Sequence, residues 1–294
     1  MNPRRELQAL APVAGEVLES LYQHRLLSTR QIHQMHTPDS GPRWTRKLLA
    51  GLRHHELVDF ARAADGDGSV YFLTTRGAQI VEQVTPRTPA RRKLIAPAEA
   101  AGLFRAHTLA VNDTGIAFMQ AARERPDDEF GALAWVHEVS HPIGKNKWLT
   151  ADALLTYQQY AKRDVLFRYR FLELDRATQP VEKLAAKLAS YARLYHHTPS
   201  AQKTPGWRTR YEVFPDVICV LAGESDVALE RRTRSVLALC QDDRELRQTP
   251  EVGISICTIT DLTAQGPFAA IWRRPWCQQR LGWLDASPAG RRRR

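Results

Sequence analysis

The sequence contains few cysteines and no long apolar segment, and both absences narrow the classes of protein that it can encode. Its four cysteines lie about twenty residues apart in a chain of 294: Cys219, Cys240, Cys257 and Cys277. With no CxxC motif and no histidine at ligand spacing, this pattern excludes a structural zinc site and predicts buried, reduced thiols. No apolar run approaches the roughly 20 residues of a transmembrane helix. We therefore expect no membrane partner, no signal peptide and a cytoplasmic location.

The charge of the chain is strongly positive. The formal net charge is +10 and the sequence pI is about 9.7, while 43% of the residues are apolar and 25% are charged. The four terminal arginines account for only part of this excess. A polyanion is therefore the expected partner, and because no long basic amphipathic helix suggests a membrane surface, double-stranded DNA is the leading candidate. The length favours two domains.

The N-terminal third predicts three helices followed by a β-hairpin. Apolar residues recur at helical spacing in 11–23, and Ser28 followed by Gln31 forms a capping box for a second helix. Turn-forming residues in 36–42 separate it from a third helix. A Gly-rich hairpin and a helix from Thr75 follow. This order is that of a winged helix, a helix-turn-helix relative whose third helix enters the major groove.

The third predicted helix carries the candidate DNA contacts. No acidic residue occurs between Asp39 and Glu56. A solvated surface helix is the alternative interpretation, and the acidic tip of the hairpin, with Asp65 and Asp67, argues against the wing lying on a phosphate backbone. The residues that we expect to reach phosphates or base edges are Arg43, Thr45, Arg46, Lys47, Arg53 and His54.

Composition also predicts the domain boundaries. Three prolines and a basic run mark residues 85–99 as a linker. The predicted division is therefore a winged-helix domain over 1–84, a linker over 85–99, an α/β domain over 100–284 and a basic tail over 285–294.

The central block alternates helices and strands. Its order is helix, three strands, helix, strand and helix, which predicts an α/β sandwich with a mixed sheet. The same order resembles the core of the PD-(D/E)XK nuclease-like fold. In that fold, an acid on the second strand and another on the third bind Mg²⁺ through hard oxygen ligands. The bound ion activates water and stabilises the charge that develops on the phosphodiester.

Acidic residues occupy the two matching positions. Asp152 lies on the second predicted strand and Glu173 on the third, with Glu138 one strand earlier as a further ligand. We therefore expect Mg²⁺, with Mn²⁺ as a substitute. Asp175 follows Glu173 by two residues and shares its face of the strand, which makes it a further catalytic candidate. The alternative is a structural ion network on an inert scaffold.

The lysine of the nuclease motif is not in its usual place. That motif carries lysine two residues after the third-strand acid, where this chain has Asp175. Some members of the fold supply the lysine from the following helix. Two lysines of that predicted helix lie one turn apart on one helical face. Lys187 is the first candidate and Lys183 the second.

The segments AHTLAVND, TADALLTY, FLELDRATQP and KLAAKLASYARLY follow the predicted winged helix in this order. Together they resemble the replication-relaxation family of plasmids and integrative elements. The resemblance implies a DNA-associated role in plasmid replication or transfer, with other replication or transfer proteins as partners.

Three functional hypotheses follow. The first is a DNA-binding protein that is also a Mg²⁺-dependent nickase or endonuclease. The second is a non-catalytic regulator or replication accessory factor, in which the nuclease-like domain supports a homodimer or docks a partner. The third, a relaxase-like enzyme with Tyr191 or Tyr195 as nucleophile, is weaker because no histidine cluster accompanies these residues.

Overall fold

The computed structural model describes residues 13–62, 68–84, 94, 102–161, 164–200 and 202–285. Two compact units divide the chain, Met1–Ile116 and Ala117–Arg294. The predicted acidic wing tip, the linker apart from Leu94, and the basic tail apart from Asp285 lie outside the described residues. Within the described residues, none of the helices combines the length and the apolar character that crossing a membrane would require.

The first unit forms its helices and hairpin in the predicted order. Ser28 and Gln31 form the predicted capping box, because Ser28 Oγ accepts from the Gln31 amide and Gln31 Oε1 accepts from the Ser28 amide, both at 3.1 Å. Strands β2 and β3 are antiparallel, and β3 also pairs with β1. The elements are α1 (Val13–His24), β1 (Leu27–Ser28), α2 (Thr29–His36), α3 (Pro42–His54), β2 (Val58–Arg62), β3 (Ser69–Leu73) and α4 (Thr75–Val84).

Helix α5 (Leu103–Arg123) spans the division between the two units. Its first half belongs to the first unit, where Asn112 Nδ2 donates to the Leu26 carbonyl at 3.0 Å and Gln31 Nε2 donates to the Leu109 carbonyl at 2.8 Å. These bonds pair buried polar groups of α5 and α2. The boundary between the two compact units therefore falls inside α5, after Ile116. The domain boundary predicted near residue 100 stays a prediction.

Within the described residues, the second unit is built on a mixed sheet of eight strands. Along the sheet the order is β11, β10, β9, β8, β7, β6 and β4, and β5 also pairs with β6. Strands β5, β6 and β7 are successive antiparallel neighbours, while β8 runs parallel to both β7 and β9. The strands are β4 (Asp128–Glu129), β5 (Trp135–Gly144), β6 (Lys147–Ala161), β7 (Asp164–Asp175), β8 (Asp216–Leu221), β9 (Ile254–Thr258), β10 (Trp272–Arg274) and β11 (Cys277–Leu281).

Helices connect these strands and confirm the α/β class. Helix α6 crosses from β7 to the parallel strand β8, and α7 crosses from β8 to β9. The order α5, β5, β6, β7, α6, β8 and α7 is the predicted one, with the short β4 in addition. The helices are α6 (Val181–His196), α7 (Asp226–Asp242), α8 (Arg244–Arg247) and α9 (Ile259–Gln265). The finer assignments to a winged helix and a nuclease-like fold stay predictions.

The two faces of the large sheet bury different side chains. On one face, Phe171 of β7 packs in a cluster with Leu188 and Tyr191 of α6 and with Cys219 of β8. The neighbouring residue Arg170 points to the other face, because side chains alternate along a strand. There its guanidinium lies over the ring of Trp283. Of the four cysteines, Cys219, Cys240 and Cys257 are buried and all four are free thiols, as predicted, although Cys277 is only partly buried.

Candidate functional site

Asp152 lies in the middle of β6, beside the end of β7. The ladder pairs Ala153 with Leu172, so the next position along this register sets Asp152 beside Glu173. The Asp152 carboxylate bends across to β7, where its Oδ2 accepts from the Leu174 amide at 2.8 Å. Two acids from neighbouring strands are therefore held together by the sheet itself.

Glu173 is the buried member of this pair, with a relative exposure of 1%. It points to the α6 face, where Tyr191 donates its hydroxyl proton to Glu173 Oε1 at 2.5 Å. Tyr191 is itself fully buried in the apolar cluster between α6 and the sheet. A buried phenol needs an acceptor for its proton, and Glu173 supplies one.

Lys187 completes the cluster from one turn earlier on α6. Its Nζ lies 3.1 Å from Asp152 Oδ1 and also forms an ion pair with Glu173 Oε2. Lys183, one turn before it, is exposed to solvent. Of the two candidate lysines, Lys187 is therefore the one that α6 brings to the acids. The cation that the acidic pair requires is an ammonium group of the chain itself.

Burial and the neighbouring charges both shift the pKa values of this cluster. Burial, the larger cause, and the Asp152 carboxylate together raise the pKa of Glu173 to about 8, while the charge and hydrogen bond of Lys187 and the hydrogen bond of Tyr191 act in the opposite direction. Burial also acts to lower the pKa of Lys187, but the two carboxylates outweigh it and the pKa lies above its usual value. Glu173 therefore binds a proton more readily than an exposed glutamate does, while Lys187 stays charged.

Glu138 does not complete a set of three carboxylates. The β5–β6 ladder pairs His137 with Ala153 and Val139 with Ala151, but the pair between Glu138 and Asp152 is missing. Glu138 has a φ of 55°, in the left-handed region that residues with a Cβ rarely adopt, and its side chain is exposed. Across the described ranges, no three His, Cys, Asp or Glu side chains are grouped so as to hold a metal ion. Glu138 as a further ligand is therefore not supported.

Asp175 belongs to a second ion pair. Its carboxylate accepts from the guanidinium of Arg232 on α7, through both Nε and a terminal nitrogen, and the same guanidinium donates to the Gln179 carbonyl at 2.8 Å. Both side chains are mostly buried. Arg232 therefore neutralises the acid that stands in the usual lysine position. Its sequence neighbourhood, ERRTR, gave no sign of which arginine would reach the sheet.

The predicted DNA-contact residues of α3 separate into two groups. Arg43, Arg46, Lys47, Arg53 and His54 are exposed. The Arg53 guanidinium lies 4.1 Å from the centroid of the Phe60 ring, which is a cation–π distance. Trp44 is also partly exposed on this helix, although the sequence did not single it out.

Thr45 is the exception in this set, because it is fully buried. Its hydroxyl lies 2.7 Å from Thr37 Oγ1 and 3.0 Å from His33 Nδ1. These bonds fix the start of α3 against the end of α2. The prediction that Thr45 reaches DNA is therefore not supported by its position, and its role is to hold the helix.

Neither candidate tyrosine nucleophile is placed for attack on a phosphodiester. Burial raises the pKa of Tyr191 well above its usual value, and its hydroxyl is bound to Glu173. Tyr195 stacks against Trp207 with ring centroids 5.7 Å apart. Both tyrosines are explained by contacts that α6 makes with its surroundings.

The comparison with known protein families gives one match. The sequence model of the family described as replication-relaxation matches residues 18–210, about two thirds of the chain. The chain belongs to the replication-relaxation family. Membership associates it with plasmid replication or transfer. No curated protein and no solved structure matches the chain.

The replication-relaxation match includes most of the elements that carry the candidate residues. Helix α3, strands β5 to β7 and helix α6 all lie inside residues 18–210, so Asp152, Glu173 and Lys187 belong to the family segment. Arg232 lies outside it. The ion pair between Asp175 and Arg232 therefore joins the family segment to the part of the chain that follows.

Proposed function

We propose that this protein binds double-stranded DNA through the exposed face of α3 and acts in plasmid replication or transfer. The observation that carries the proposal is the distribution of charge on that helix. Arg43, Arg46, Lys47 and Arg53 are exposed, and α3 contains no acidic residue. Nucleic-acid phosphates attract such a cluster, and the affinity then depends strongly on salt.

The opposite side of α3 fixes this face in place. Leu48, Leu49 and Leu52 are buried, and Thr45 anchors the first turn. Pro42 occupies the start of the helix and has no amide proton that would need a partner there. The positive end of the helix dipole adds to the charge of Arg43 and Arg46. A rigid helix with cations on one side and leucines on the other matches what groove binding requires.

Charge reversal tests the proposal. The double variant Arg46→Glu/Lys47→Glu should lose at least about tenfold in affinity for plasmid-derived duplex DNA, because each phosphate contact contributes to counterion release. Fluorescence anisotropy at two salt concentrations measures both the affinity and its salt dependence. Lys183→Glu/Arg231→Glu makes the same change in net charge at exposed positions of the second unit. An equal loss in both double variants would mean that overall charge, not α3, determines binding.

A second candidate function is Mg²⁺-dependent cleavage of DNA by the second unit. The observation that favours it is the convergence of Asp152, Glu173 and Lys187 from β6, β7 and α6. Two carboxylates and solvent or phosphate oxygens are a donor set that suits Mg²⁺, which seldom uses an all-protein cage. Asp152 and Glu173 would hold the ion, which would supply an activated water and offset charge on the phosphodiester. Lys187 would then be released to neutralise a phosphate oxygen.

The same contacts also favour the non-catalytic alternative. All four oxygens of the acidic pair already accept bonds, from Lys187, Tyr191 and the Leu174 amide. An ion network of this kind joins α6 to the sheet without any metal. In this alternative the second unit supports DNA binding by docking other replication or transfer proteins.

Cleavage of supercoiled plasmid distinguishes the two alternatives. A nuclease should relax or linearise plasmid with Mg²⁺ or Mn²⁺ and not with EDTA, and Asp152→Asn and Glu173→Gln should each lower the rate by at least about a hundredfold. Glu182→Gln, an exposed acid on α6, is the matched control and should keep the rate. Plasmid that stays intact with every metal, while DNA binding is retained, would support the non-catalytic alternative.

A further inference from the structure

The outer part of β7 leaves one edge of the large sheet open. Strand β8 pairs with β7 only from Arg170 to Asp175. The preceding residues, 164–169, pair with β6 on one side, and within the described residues no strand pairs with their other side. An open edge of this kind presents unpaired amide and carbonyl groups, to which another strand can add.

The same segment exposes three consecutive apolar side chains. Val165, Leu166 and Phe167 have relative exposures of 45%, 44% and 45%. Natural edge strands usually carry charges or proline, which discourage association. Here the charges flank the apolar run, with Asp164 on one side and Arg168 on the other. An exposed apolar patch on an open strand edge marks a surface for association.

The order of these five residues is complementary to itself. In an antiparallel pair of two copies centred on Leu166, Asp164 of each copy lies opposite Arg168 of the other, and Val165 lies opposite Phe167. Asp164, Leu166 and Arg168 share one face of the strand, so the two ion pairs flank the central leucines on that face. A shift of one residue in either direction would set charged side chains against apolar ones. The charge pattern therefore selects one register.

We propose that the protein forms a two-fold symmetric dimer in which the outer segments of β7, residues 164–168, pair as antiparallel edge strands. The two copies use the same surface, as an isologous interface requires. Main-chain hydrogen bonds extend the sheet from one copy into the other. Apolar contacts of Val165 with Phe167 and ion pairs of Asp164 with Arg168 stabilise the pair on its two faces.

Cysteine mapping tests the register. The experiment uses the full chain with Cys277→Ser, because Cys277 is partly exposed whereas the other three cysteines are buried. Directly opposed residues of an antiparallel pair have Cα atoms about 4.5–5.5 Å apart, within the range of a disulfide. Leu166→Cys should therefore give a covalent dimer on mild oxidation. Val165→Cys alone should not, because its two copies lie on a diagonal about 7–8 Å apart.

A mixture of Val165→Cys and Phe167→Cys chains should cross-link, since these positions face each other in the proposed register. Equal cross-linking of Leu166→Cys and Val165→Cys would overturn the proposal. So would a wild-type chain that sediments as a monomer up to about 100 µM, a concentration at which even weak specific dimers form.

Exchange of the two charges tests the ion pairs. In the dimer of the Asp164→Arg variant, both symmetry-related pairs set an arginine opposite Arg168. This repulsion should raise the dimer dissociation constant by about tenfold. Asp164→Arg/Arg168→Asp restores opposite charges and should recover most of the affinity. Val227→Lys places a charge at an exposed apolar position outside this segment and should have no effect. Sedimentation velocity gives the dissociation constants, and thermal unfolding verifies that each variant is folded.

The proposal is overturned if Asp164→Arg leaves the dimer unchanged, or if Val227→Lys weakens it equally. Arg168 also donates to Gln159 Oε1 at 3.2 Å within its own hairpin. If Arg168→Asp prevents folding, Leu166→Lys replaces the double variant, because it sets two lysines together on the symmetry axis. A dimer that Leu166→Lys does not weaken would then contradict the proposal.

Discussion

The ammonium nitrogen of Lys187 lies 3.1 Å from Oδ1 of Asp152, and this contact joins a helix to a strand 35 residues earlier in the chain. The same nitrogen is paired with Glu173. Two carboxylates on neighbouring strands would repel each other, so one cation between them stabilises the sheet, the helix and the pair together. The cluster is therefore a structural junction between α6 and the large sheet.

Removal of this cation should cost much of the stability of the second unit. Lys187→Met keeps the length of the side chain but removes the cation that pairs with Asp152 and the buried Glu173. We expect a loss of about 3 kcal/mol in the free energy of unfolding, the lower end of the range for a broken buried pair, because Lys187 is partly exposed. Urea unfolding measures this change in the free energy of unfolding. Lys183→Met is the control and should change stability by less than about 0.5 kcal/mol.

The stability of the fold should depend on pH through Glu173. Its folded pKa, about 8, is higher than the value of 4.5 expected when the chain is unfolded. The folded state therefore binds this proton more tightly, and the contribution of Glu173 to stability is fully present below pH 4.5 and is lost as pH rises through 8. The slope from this one group is at most about 1.4 kcal/mol per pH unit. Denaturant unfolding between pH 5 and pH 9 should show this fall in the free energy of unfolding as pH rises.

Glu173→Gln provides the comparison for this pH series. The amide cannot titrate, so the difference in unfolding free energy between wild type and variant should change steadily between pH 5 and pH 8. A constant difference across that range would show that Glu173 is ionised throughout, and that Lys187 and Tyr191 outweigh the effect of burial.

The ion pair of Asp175 with Arg232 should be structural. Arg232→Met leaves a mostly buried carboxylate unpaired, and we expect a loss of roughly 3 kcal/mol in unfolding free energy. Adding Asp175→Asn should recover part of that loss, because the unpaired charge is then removed. If the second unit cleaves DNA, Asp175→Asn should keep that activity under conditions where the variant is folded. Loss of cleavage without loss of stability would return Asp175 to the catalytic set.

Thr45 should influence folding and not DNA contact. Thr45→Val keeps the shape of the side chain but removes the hydroxyl that bonds to Thr37 and His33. The unfolding free energy should fall by about 1–2 kcal/mol. The affinity for duplex DNA, measured well below the melting temperature, should stay within about twofold of wild type, unlike that of the Arg46→Glu/Lys47→Glu variant. A tenfold loss for Thr45→Val would show that the start of α3 must be held more tightly than its charges alone require.

The sequence by itself determined the elements and the positions of the acids along them. Helical spacing, the Ser28–Gln31 capping box and the alternation of apolar residues are local signals, and each produced the expected helix or strand. The resemblance to the nuclease-like fold predicted Asp152 and Glu173 on neighbouring strands, and the register of β6 and β7 sets the two acids beside each other.

Only the tertiary structure decided which cations reach those acids. Whether Lys183 or Lys187 contacts the pair depends on how α6 is rotated against the sheet, and that rotation is set by the burial of Leu188 and Tyr191. The choice of Arg232 as the partner of Asp175 depends in the same way on α7. Long-range side-chain contacts follow from how helices and sheet pack together, which no local pattern specifies. The sequence therefore shows that the acidic pair needs a cation, and only the packed structure shows that this cation is Lys187.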